Sequence, residues 1–244
     1  MNLAGLNFDN MPKFSIPLRF FISASIFALM ACLFFLVPSI WQSRWQPSFI
    51  AMTHVFTLGF FVMVMFGAIT QVLPVLTGKG IDRVDKRAPR IHLLLVLGVM
   101  IFPLNFIFQD SFVVILGLAP LLMSLSILLR SLLYLFKATR IKNDTVRSIR
   151  LAVIGLMVAI MTGLWQLFSY QIPALTPLDM GKTMTNLHLM WGLLGWVSAL
   201  IMAVSFQVIP MFHVTPEFPK WLRQYWPSGL FFLMILVSFS AFFQ

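Results

Sequence analysis

Apolar residues in this chain come in long unbroken runs rather than in stripes. Such runs cover about 17–38, 49–76, 91–109, 111–136, 149–171, 184–212 and 226–244. A helix needs about 20 apolar residues to cross the hydrocarbon core of a bilayer. A barrel strand needs only about ten and alternates in polarity, which these runs do not. The pattern therefore predicts an all-α integral membrane protein with seven transmembrane helices over 17–244, preceded by an interfacial or cytoplasmic segment at 1–16. The short Phe108-Gln109-Asp110-Ser111 connection predicts that the third and fourth helices are antiparallel neighbours. The seventh run ends at Gln244 without a polar tail, as in a fragment or a truncated relative of a longer chain.

Composition agrees with the runs. Only 10% of the 244 residues are charged, against about a quarter in soluble domains. The net charge of +10 does not indicate a nucleic-acid partner, because the basic residues sit in short loops between the runs. If the N-terminus is cytoplasmic, that side carries 15 of the 17 Lys and Arg residues, and only Arg44 and Lys182 fall on the other. The asymmetry is that of topology determinants, and it predicts a cytoplasmic N-terminus; the location expected is a bacterial inner membrane. Cys32 is the only cysteine, which excludes disulfides and thiolate clusters within the chain. Residues 1–16 lack the pattern of a cleaved leader.

The second and sixth runs share a motif. Leu58-Gly59 precedes Gln71-Val72-Leu73-Pro74, and Leu194-Gly195 precedes Gln207-Val208-Ile209-Pro210, at a constant offset of 136 residues. Each run also carries a histidine near its start, His54 and His188, about 8 Å inside the outer interface at 1.5 Å per residue. His188, Gly192, Gly195 and Ala199 recur at steps of four, three and four, which places them on one helix face where a flat ligand could lie close to the backbone. Intramembrane histidines are costly and face a cavity, a partner or a cofactor, and neutral imidazole is a common axial ligand of haem iron. The plainer alternative is that each histidine hydrogen-bonds a neighbouring helix. The 26 Phe and 16 Met suit a porphyrin wall, but equally a lipid-facing surface.

In these features the chain resembles the catalytic subunit of the haem–copper oxidase superfamily, in its nitric oxide reductase and cbb-type branches. The resemblance implies the first part of a twelve-helix fold built from four-helix pseudo-repeats. His54, in Thr53-His54-Val55-Phe56-Thr57-Leu58-Gly59, matches an axial ligand of a low-spin haem. His188, in Asn186-Leu187-His188-Leu189-Met190-Trp191-Gly192, matches a ligand of the active-site metal. Haem b is the cofactor implied, with Gly192 and Gly195 beside it, a cytochrome or other redox subunit as partner, and oxidoreductase chemistry on O2 or NO in a respiratory chain. The chain departs from the family in lacking a histidine pair in Leu230–Phe243 and in lacking the later ligand helix. A copper or non-haem iron centre is therefore not expected from these residues alone, nor is complete catalysis. His92 and His213 fall at the cytoplasmic ends of their runs, where a loop or interfacial role is expected, and Tyr134, Tyr170 and Tyr225 read as interfacial anchors.

A transporter or channel fits the repeat and the mid-run Pro103 and Pro120. Yet only Arg130 is charged within a run, no Asp or Glu lies in a run's centre, and the repeat is parallel, whereas many transporters use inverted repeats. A non-catalytic structural or assembly subunit is the third reading. P-loop, GxGxxG, nucleophile-elbow and HExxH motifs are absent, so soluble-enzyme chemistry has no support.

Overall fold

The computed structural model describes residues 11–138, 144–171 and 180–241, with the side chains of Ala138, Tyr170, Gln171 and Met180 left aside. The expectations for residues 1–10, for the Arg140 and Lys142 loop, and for the side chain of Tyr170 lie outside the described residues. Every described element is helical. Helices that bury only one side while staying apolar all round belong in lipid, and α1 (Ser15–Leu33) is of this kind. Ile16, Phe20, Ala24, Phe27 and Ala31 are buried, and Leu18, Ile22, Ile26, Leu29 and Leu33 are exposed.

Packing groups the chain into two compact units, Met1–Arg140 and Ile141–Gln244. In the first, α1 pairs with α2 (Pro47–Thr77) and α3 (Val84–Phe108) pairs with α4 (Ser111–Ala138). Helix α2 opens with Pro47 at its first position, where the missing N–H costs nothing. Its glycines set the contact with α1. A Cβ at Gly59 would lie 2.5 Å from the Phe27 side chain, and one at Gly67 would lie 2.9 Å from Phe21. The α3–α4 pair is antiparallel, as its short connection predicts. Gln109 turns the chain in the left-handed region, and Asp110 caps α4 by accepting the Phe112 N–H at 2.7 Å. Along the seam, Gly98 meets Leu121 and Gly117 meets the Phe102 backbone, while the buried Ser124 hydroxyl donates to the Ile91 carbonyl at 3.0 Å.

In the second unit α5 (Asp144–Gln171) and α6 (Gly181–His213) form another antiparallel pair, with α7 (Lys220–Ser240) against both. The Trp191 indole on α6 donates to Ser238 of α7 at 3.0 Å.

Among the described residues six helices, α1 to α6, are long and apolar enough to cross a membrane. The seventh expected run does form a helix, but α7 starts at Lys220, well before the apolar stretch, and its first turns carry Arg223, Gln224 and Tyr225. The stretch expected to cross, 226–244, ends in residues 242–244, which lie outside the described residues. The third run likewise begins earlier than expected, at Val84, because the polar segment Val84–Arg90 continues the helix.

Candidate functional site

Neither α2 nor α6 is a uniform α-helix. Each contains a π-helical turn, at Thr57–Val62 and at Trp191–Ser198. Such turns carry an extra residue, are rare, and concentrate at functional sites. Each opens three residues after the histidine (54 to 57, 188 to 191) and contains the Leu-Gly pair of the shared motif. The α-helical segments that follow, Met63–Thr77 and Ala199–His213, are both 15 residues long and are displaced by 136 at both ends. Both stop at a left-handed residue, Gly78 (φ 63°) and Val214 (φ 52°), again 136 apart. The sequence repeat is thus also a repeat of backbone form.

The two imidazoles are anchored through the same nitrogen. His54 Nδ1 lies 2.8 Å from the Ile50 carbonyl one turn earlier in α2. His188 Nδ1 lies 2.8 Å from the Ala159 carbonyl of α5. A carbonyl only accepts, so Nδ1 carries the proton in both rings and Nε2 carries the lone pair. Their surroundings differ. The His54 ring stacks on Phe106 at 4.7 Å and meets Phe102 edge-on at 5.7 Å, where α3 is interrupted around Pro103. The His188 ring lies against α5, because Gly163 leaves room for it: a Cβ there would come within 2.8 Å of its Cε1.

Around His188 runs a polar chain that sequence reading missed. The Thr185 hydroxyl donates to Gln166 Oε1 at 2.8 Å, and Gln166 Nε2 donates to the Thr162 carbonyl at 3.3 Å. The Thr162 hydroxyl donates to the Val158 and Ala159 carbonyls and lies 3.5 Å from His188 Nδ1. The signal for α5 was present as Gly155, Ala159 and Gly163 at steps of four. That small ridge runs antiparallel to Gly195, Gly192 and His188. A Cβ on Gly155 would strike the Gly195 carbonyl oxygen at 2.2 Å, whereas one on Gly192 would have only the Ala159 Cβ, at 4.0 Å, nearby. Gly195 therefore serves backbone contact between α5 and α6, and Gly192 stands at a looser point of the same seam.

His92 bonds across to α1, its Nε2 lying 2.8 Å from the Ser23 hydroxyl, with Phe20 edge-on at 5.2 Å. It joins two helices rather than standing in a loop. His213 is the exposed last residue of α6. Among the described residues no three His, Cys, Asp or Glu side chains gather as a metal site. An open groove of about 370 Å³ is lined by Met202, Ser205, Phe206, Phe218, Leu222 and Trp226 and offers no titratable group. No protein-family model, curated protein or solved structure matches this chain.

Proposed function

We propose that this chain is a haem-binding membrane protein of oxidase-subunit type, with seven spans and a cytoplasmic N-terminus in a bacterial inner membrane. His54 and His188 would hold haem iron, each through Nε2. The observation that supports this most is the shared placement of the two rings. Both precede a π-helical turn by three residues, and both donate Nδ1–H to a backbone carbonyl at 2.8 Å. That second interaction fixes tautomer and ring orientation and raises the basicity of Nε2, as it does for metal-bound histidines generally. Haem asks for one or two such nitrogens, which suits isolated histidines. A further copper or non-haem iron centre would need a group of ligands that the described residues do not assemble. When bound, the iron porphyrin supplies one-electron chemistry, in electron transfer or toward O2 or NO; the chain holds it, orients it and shields it from water.

An absorption spectrum of protein purified from haem-replete membranes tests the reading. A Soret band is expected, weakened or shifted by His54→Ala and by His188→Ala. A preparation with no Soret band would remove the proposal.

One observation favours a second, purely structural reading. His188 belongs to a polar chain with Thr162, Gln166 and Thr185 that ties α5 to α6, and interhelical bonds in membranes are worth about 0.6–2 kcal/mol. On that reading His188→Ala lowers the unfolding temperature while wild type carries no haem.

A further inference from the structure

We propose that Thr162 and Gly163 of α5 are positioning residues for the His188 imidazole, an inference that rests on the haem reading above. His54 is anchored within its own helix, through Ile50. His188 is anchored on another helix, so its orientation is decided by what α5 places against it. Gly163 provides the space. A Cβ built on it would lie 2.8 Å from Cε1, 3.1 Å from Nδ1 and 3.7 Å from Nε2. The ring therefore turns its Nδ1–Cε1 edge to α5, with Nε2 the next nearest atom, so the backbone at 163 sets where Nε2 stands.

Thr162 provides the polarity. Its hydroxyl proton is committed to the Val158 and Ala159 carbonyls at 2.9 and 3.0 Å, so its oxygen faces Nδ1, at 3.5 Å, as an acceptor. Two acceptors, the Ala159 carbonyl and this hydroxyl, thus sit at the Nδ1 side, and both favour the tautomer with the proton there. Gln166 braces the arrangement by bonding the Thr162 carbonyl and the Thr185 hydroxyl. A side chain at 163 therefore displaces the ring from α5 and disturbs the Ala159 bond that orients it.

The test uses the full chain from haem-replete membranes, read by haem retention, electron paramagnetic resonance of the ferric form and midpoint potential. Gly163→Ala is expected to weaken haem retention about 10-fold or more, the usual consequence of disturbing a ligand's supporting contacts, and to shift the resonance and the potential. Thr162→Val is expected to shift the potential, and Thr162→Ser to restore it. Gly155→Ala, on the same ridge but remote from the ring, is expected to lower the unfolding temperature and leave the resonance of the retained haem unchanged. Should Gly163→Ala not fold, the Thr162→Val and Thr162→Ser pair decides alone. If wild type carries haem and these variants change only thermal stability, the positioning role is wrong and the haem reading stands. If wild type carries no haem, both fall together.

Discussion

Among single residues, Val214 is under visible strain. A β-branched side chain with φ at 52° is a rare outlier, and a left-handed backbone costs an ordinary residue roughly 1–2 kcal/mol. The matching position in the first copy of the repeat is Gly78, which has no such cost. Val214→Gly is therefore expected to stabilise the protein by about 0.5–1 kcal/mol, after allowing for the extra freedom glycine gives the unfolded chain. A thermal melt in detergent checks this, and a lowered midpoint would refute it. The small ridge between α5 and α6 gives a sharper contrast. Gly155→Ala drives a methyl group into the Gly195 carbonyl and should cost about 1–3 kcal/mol, as overpacking does. Gly192→Ala, with its nearest neighbour at 4.0 Å, should change stability by less than about 0.5 kcal/mol. Equal losses at the two sites would contradict the seam described here.

At the scale of the helix, the π turns make length the informative variable. A π turn is a helix that has taken in one residue without shifting its flanks. Removing Phe60 from within Thr57–Val62 should let that turn close to α geometry while the helix on either side keeps its facing. Removing Ile69, in the regular segment Met63–Thr77, should rotate one flank by about 100° and misplace Gly67 or the buried Leu73. Detergent size-exclusion profiles are expected to show a monodisperse peak for the first deletion and aggregation for the second. The motif that marks these helices was readable as Leu-Gly and Gln-Val-x-Pro spaced alike. The π turns were not readable, because nothing in Thr57–Val62 or Trp191–Ser198 departs from ordinary apolar helix composition. The seam had the opposite history. Gly192 and Gly195 stood out as small residues beside a histidine, but only the partner ridge on α5 shows that Gly195 is there for helix contact.

For the whole molecule, apolar length carried most of what could be known beforehand. Among the described residues six of the seven expected spans show the length and apolarity required, and the α3–α4 pairing followed from a four-residue connection. The seventh expected run lies in α7, whose helix extends back to Lys220, and its last residues, 242–244, fall outside the described residues. The candidate site was legible as two histidines and no further, since Thr162, Gln166 and Thr185 are common residues whose contacts appear only when α5 and α6 lie side by side. Orientation can be measured directly. On a Cys32→Ser background, Arg44→Cys is expected to react with a membrane-impermeant maleimide in intact cells, and Lys86→Cys only after permeabilisation. The reverse pattern would invert the proposed topology.

The touching backbones of Gly155 and Gly195 have a consequence for biogenesis. Neighbouring helices that fit this closely leave no gap for a lipid tail, so early pairing excludes a competitor that would later have to be expelled. Helices α5 and α6 are thus suited to leave the translocon as a zipped hairpin, with His188 already seated on Ala159 before α7 is synthesised.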